Sequence, residues 1–315
     1  MPTLRIFALL CALMLRPVGA AEVDCRELER NYSLAKSGIT SIQLNAMLFA
    51  SAAKDCGALA RRLIASGASL QARDRAGAMP LAHAARGGHV ALVERFLAEG
   101  AAIDARDLNG TTALAAAAEA ERPATVAALL ARGANPNLPG RSGVSPLGAA
   151  AFRGNDRIVE LLLSRGADPD HVDATGKAPI VYAAARGFAL VLRRLLDAGV
   201  DAKTRYGNDL TALMWAAGHE DGVGAAAAIA VVELLIERGA AIDAADNRGR
   251  TALMIAAERG DAAVVETLAM RGADRDLRDK TGKTARDLAS NVAIREKLAE
   301  GSAVSTIPPN TARAP

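Results

Sequence analysis

Aromatic side chains are scarce in this chain: 3% of 315 residues, with a single tryptophan. That disfavours a sandwich core built on bulky side chains. Histidine is scarcer still. His83, His89, His171 and His219 are scattered, with no HExxH and no paired-ligand spacing. A nucleophile elbow, a phosphate-cradling glycine loop and a Cys–His arrangement are also lacking. The reading is therefore a non-enzyme, with no catalytic residue, no cofactor and no metal ligand assigned. No apolar run is long enough to span a bilayer, so no stable membrane insertion is expected.

Cysteine is limited to Cys11, Cys25 and Cys56. The first lies in a leader-like segment. "MPTLR" is short and positive, Ile6 to Leu15 is apolar, and Val18 and Ala20 are small residues suited to cleavage. Residues 1–20 are read as a signal peptide, which places the mature chain in the periplasm or secretes it. The rival reading is an uncleaved anchor. With Cys11 removed, Cys25 and Cys56 have only each other to pair with in an oxidising compartment. The alternative is two buried free thiols.

Alanine and branched aliphatics make up most of the 51% apolar residues, and they recur. Asp74, Asp107, Gly140, Asp173 and Tyr206 fall 33 residues apart, as do Asp246 and Asp279. One step differs: Tyr206 to Asp246 is 40, an excess of seven. A glycine comes fourth in most periods (Gly77, Gly110, Gly143, Gly176, Gly249, Gly282), where a tight turn needs positive φ. Thr, Ser or Pro then opens a first helix, an alanine pair follows, and a second helix carries aliphatics at helical spacing before closing on glycine.

This pattern resembles the ankyrin repeat over residues 41–301, with "NRGRTALMIAAERGDAAVVETLAMRGAD" an especially close copy. The resemblance implies an all-α solenoid of helix–turn–helix repeats with short β-turn fingers. Repeats fall near 41–73, 74–106, 107–139, 140–172, 173–205, 206–245 and 246–278, with a capping repeat at 279–301. Residues 21–40 read as an N-terminal capping helix, and 302–315 as a disordered tail. The family's histidine after "TPL" is replaced by Ala82, Gly148, Val181, Met214 or Met254. Its turn hydrogen bonding must therefore be partly substituted. Repeat three carries "EAERPA" where a glycine turn is expected, and Pro123 is expected to open its second helix.

In ankyrin proteins the fingers and the first-helix surface form a concave groove that holds a protein. The matching positions here are basic. Arg73, Arg75, Arg106, Arg141, Lys177, Arg205, Arg248, Arg250, Arg278, Lys280 and Lys283 fall on the fingers, and Arg86, Arg153, Arg186 and Arg259 on the first-helix ends. Glu119 and Glu258 are the acidic members at the same positions. Removing Arg5 and Arg16 with the leader leaves 36 basic against 35 acidic residues, so the positive charge is a matter of placement. The expected partner is an acidic protein, bound by a monomer; nucleic acid fits the periplasm poorly. The alternative is a solvated face that the family carries for solubility. Phe152 is a candidate contact, while Tyr182 and Trp215 are expected to pack between repeats.

The seven extra residues fall between the helices of repeat six, in "GHEDGVGAAAAIA". This is read as a glycine-bearing surface loop whose alanines extend the second helix. Loop-length changes cost little, so deleting Glu220–Ala226 is expected to be mild. Two rival functions stay open: a metal-dependent enzyme using His219, Glu220 and Asp221, and a host-directed ankyrin effector.

Overall fold

The computed structural model describes residues 24–35, 38–140 and 142–300. The expected leader, the tail and Arg141 lie outside the described residues.

Two compact halves divide the chain, Met1–Arg141 and Ser142–Pro315. In the first, helix α1 (Cys25–Ala35) precedes three helix pairs. These are α2 (Ser41–Ala53) with α3 (Gly57–Ala65), α4 (Pro80–Gly87) with α5 (Val90–Ala98), and α6 (Ala113–Glu119) with α7 (Pro123–Ala131). The second half continues with α8 (Pro146–Arg153) and α9 (Asp156–Leu163), α10 (Pro179–Ala185) and α11 (Ala189–Asp197), and α12 (Ala212–Ala217) and α13 (Ala225–Glu237). It closes with α14 (Ala252–Arg259) and α15 (Ala262–Met270), then α16 (Ala285–Leu288) and α17 (Val292–Glu300). A two-stranded antiparallel ribbon, β1 (Arg205–Tyr206) and β2 (Leu210–Thr211), interrupts this all-α pattern.

Local chemistry starts each first helix. Thr112, Ser145, Thr211 and Thr251 each accept from the amide three residues on, which satisfies an otherwise orphaned donor. Repeats two and five lack the hydroxyl, and Pro80 and Pro179 open their helices instead. In repeat three Glu121 adopts the left-handed turn conformation, φ 57°, that Gly88, Gly154 and Gly260 adopt elsewhere, and α7 opens on Pro123.

The alanine pairs of repeats two to seven are sealed, each residue at most 1% exposed. Such small side chains let first helices approach closely. The second helices fill the remaining space with Leu92, Val93 and Phe96, or Ile158, Val159 and Leu162, all buried. Each such side chain contributes roughly 1.5–3 kcal/mol. Among the largest fully buried side chains Phe96 is the one aromatic, as a core spaced by alanine requires.

The fingers repeat one device. Asp74, Asp107, Asp173, Asp246 and Asp279 each turn Oδ1 onto two backbone amides, two and four residues on. Successive fingers then bond through the main chain: Leu108 to Ala76, Ala174 to Ser142, and Lys280 to Arg248. The turn glycine is required twice over at Gly249. Its φ is 80°, and a Cβ there would stand 2.9 Å from the amide of Lys280.

Repeat six breaks the device. Tyr206 stands where the carboxylate belongs and Asp209 where the glycine belongs. There the finger closes as the β1–β2 ribbon, with Asn208 (φ 64°) and Asp209 (φ 61°) both left-handed. An L-residue pays about 1–2 kcal/mol in that region, and Asn bears it better than most. Asp209→Gly is therefore expected to stabilise the protein by about 1 kcal/mol. Urea unfolding checks this; a loss of stability would mean that the Asp209 side chain has a role of its own.

Candidate functional site

In repeats two and five the second carboxylate oxygen of the finger aspartate meets a side chain from the middle of the first helix. In repeat two Asp74 Oδ2 meets His83 Nε2 at 2.8 Å. In repeat five the Tyr182 hydroxyl donates to Asp173, and Asp246 takes Arg250 in repeat seven. Here is the substitute for the missing family histidine: the bond has moved one residue along the helix, to His83 and Tyr182. Burial of Asp173 raises its pKa, but Tyr182, Thr175 and two backbone amides outweigh that and hold it below the usual carboxylate value. Burial and the same bond push the Tyr182 phenol up. The Tyr206 hydroxyl is pushed up to about 12, by burial first and then by the charge of Asp170.

With no aspartate in finger six, the Trp215 indole N–H is buried with no hydrogen-bond partner among the described residues. The ring itself is half-buried. Lys177 Nζ lies 5.1 Å from its centroid and 5.9 Å from that of Tyr182. Phe152, 37% exposed, meets Tyr182 edge-on at 5.7 Å. Tyr182 and Trp215 do pack against neighbouring repeats, and with Phe152 they form an aromatic strip on three successive first helices, each ring reachable by solvent.

The basic residues divide by what already holds them. Arg106 donates to the carbonyls of Gly110 and Pro139, and Arg205 to those of Asp209 and Ala245. Arg73 does the same with Gly77 and Arg106, and Arg278 with Gly282. These finger arginines staple turns. They stay charged, with part of each guanidinium's donor set taken by the backbone. This role went unread in the sequence, though arginine just before the finger aspartate, carried forward 33 residues at a time, was its signal.

A second group is neutralised. Arg250 bonds Asp246 and Glu258, and Arg248 lies 3.8 Å from Asp246. Arg186 pairs with Glu220 at 3.2 Å and Arg259 with Asp221 at 2.8 Å. Each of these four candidates faces a carboxylate of the chain itself. Arg75 and Arg86 are exposed on the first half. Lys177 and Arg153 stand apart in the second half, beside rings and with no carboxylate partner among the described residues.

The insertion is not a free loop. The Glu220 amide donates to the Ala185 carbonyl at 2.8 Å, and Val223 sits against Gly187. His219 is buried at 6% exposure, with Nε2 2.8 Å from Asp261 and Nδ1 3.0 Å from the Glu220 carbonyl. The three side chains of "HED" therefore turn to three different partners: Asp261, Arg186 and Arg259. No group of three or more His, Cys, Asp or Glu among the described residues could hold a metal ion.

Cys25 and Cys56 are joined by a disulfide, Cα atoms 5.5 Å apart, which ties α1 to the turn before α3.

Comparison with known proteins agrees with this architecture. Residues 47–139 and 147–225 match the family model of ankyrin repeats in three copies, 231–289 the model of ankyrin repeats in many copies, and 208–247 that of the single ankyrin repeat. No curated protein matches the chain. Among solved structures, the ankyrin repeat domain of human ASB11 is similar at 27% identity and a TM-score of 0.63, covering 71% of this chain and 97% of that one. Since the three-copy match alone takes in more than half of the sequence, the chain belongs to the ankyrin-repeat family, whose repeats serve as protein-interaction scaffolds.

Proposed function

We propose that this chain is a monomeric, non-enzymatic scaffold, exported to the periplasm, that holds a protein partner against the first-helix face of its repeats. One observation carries the reading. Buried positions repeat from period to period, while one first-helix position that solvent reaches in five repeats changes each time: His83, Ala149, Tyr182, Trp215, Ile255. A stack that needs the same alanines and leucines everywhere leaves that face free to be specific. The leader-like N-terminus and the Cys25–Cys56 bridge support export to an oxidising compartment.

Affinity capture tests the reading. Immobilised chain, exposed to periplasmic extract at low salt, is expected to retain a discrete protein that elutes as salt rises, since exposed charges are screened beyond about 8 Å at physiological ionic strength. Substitution of Phe152 by alanine should shorten retention. A column that holds nothing at low salt would overturn the scaffold reading.

A further inference from the structure

Charge is cancelled at several places around the aromatic strip, but not at Lys177 or Arg153. Arg186 stacks on Phe152 at 4.2 Å, but Glu220 meets its charge. Arg250 and Arg259 are met by Glu258 and Asp221. Lys177 is half-buried between Tyr182 and Trp215 and has rings for neighbours where its counterpart Arg250 has carboxylates. Arg153, exposed beside Phe152, is likewise unmatched among the described residues. One turn beyond Tyr182 and Trp215 stand Ala185 and Gly218, where the neighbouring helices carry Phe152 and Glu258. The low ground between them is made by short side chains.

We propose that Phe152, Tyr182, Lys177 and Trp215 form an anchoring subsite for an acidic segment of the partner protein, one in which an Asp or Glu stands next to a large apolar residue. This rests on the scaffold reading and specifies its partner. An ammonium held against two rings is partly stripped of water already, so a carboxylate arriving there meets a stronger field than at an open surface. The adjacent apolar side chain covers Phe152 and the indole face, and shields the ion pair as it does so. Nucleic acid fits less well. A phosphate chain needs a run of free cations, and here Arg186, Arg250 and Arg259 are already paired.

The sole tryptophan of the chain is Trp215, so its emission reports on this subsite alone. The full chain is panned against a random linear peptide library at low salt, and the best peptide is synthesised and titrated. The expected peptides carry an acidic residue beside Leu, Ile, Phe or Trp, and shift the Trp215 emission saturably. Lys177→Glu should weaken them about tenfold or more, Lys177→Arg should keep most of the affinity, and Phe152→Ala should speed dissociation. Circular dichroism melts of the three variants should match that of the parent. A Glu-to-Lys version of the peptide should prefer Lys177→Glu. Selected peptides without acidic bias, or binding indifferent to Lys177→Glu, would overturn the proposal. So would a single-stranded homopolymer that displaces the fluorescence change in a Lys177-dependent way. If the affinity column retains a protein while no peptide is selected, the subsite is wrong and the scaffold reading stands. An empty column fails the scaffold reading on its own.

Discussion

Replacing Cys25 and Cys56 together by alanine is expected to remove about 3–4 kcal/mol, the loss the chain-entropy model gives for opening a loop of this length. The bridge spans a sequence separation of 31 and ties α1 down at its first residue. What remains is modest. Leu28 and Tyr32 are buried, the Tyr32 hydroxyl meets Ser66 Oγ at 2.6 Å, and Arg62 stacks on the Tyr32 ring at 5.0 Å. So few groups leave this eleven-residue helix dependent on the bridge. The loss should also be local, because each repeat contacts only its neighbours. Amide exchange is therefore expected to quicken across α1, α2 and α3 first, ahead of the global melt, and reductant should reproduce the effect in the parent chain. A double variant that melts and exchanges like the parent would show that the buried face of α1 is sufficient without the bridge.

The period, the helix pairs and the finger turns were legible because each rests on a residue type with one strong local preference. Glycine marks positive φ, threonine or serine marks the cap, and paired alanines mark the close approach. The repeat-three departure could be read for the same reason, since proline admits few roles. The pairing of charges could not be read in this way. Arg186 and Glu220 are 34 residues apart, and Arg259 and Asp221 are 38. Such partners meet only once the stacking is known, and the insertion disturbs the register from which the meeting might be computed. The same holds for Arg106 and Arg205. An exposed arginine at a variable position looks free until the carbonyl of the following repeat is placed beside it. The basic face was thus legible as a set of positions, and the intrachain partners of its members were not.

The insertion is where loop thermodynamics and this structure part most. By length alone seven residues matter little, yet His219 is anchored against Asp261, and Asp261 also caps α15 by accepting from the amides of Ala263 and Val264. The aspartate does two jobs with its two oxygens. Asp261→Ala is expected to cost about 2–4 kcal/mol: roughly 1 for the cap and 1–3 for leaving the buried His219 ring without its acceptor. Asp261→Asn keeps an able cap and should recover about 1 kcal/mol of that. Asn155 provides the internal control. It caps α9 through Ile158 at the matching place in repeat four, without a buried histidine behind it, so Asn155→Ala should cost only about 1 kcal/mol. The pH dependence follows from the carboxylate. Burial raises the Asp261 pKa, but the bonds from His219 and the two amides outweigh it and set it below its ordinary value of 3.8. Its contribution is then complete above that value and lost as pH falls through the lower, folded-state pKa. Urea unfolding of the four proteins near neutral pH and again in acid checks both parts: the gap between Asp261→Ala and the parent should be wide at neutrality and close in acid. Equal costs for Asp261→Ala and Asn155→Ala would mean that the cap is all that matters and that His219 holds nothing in place.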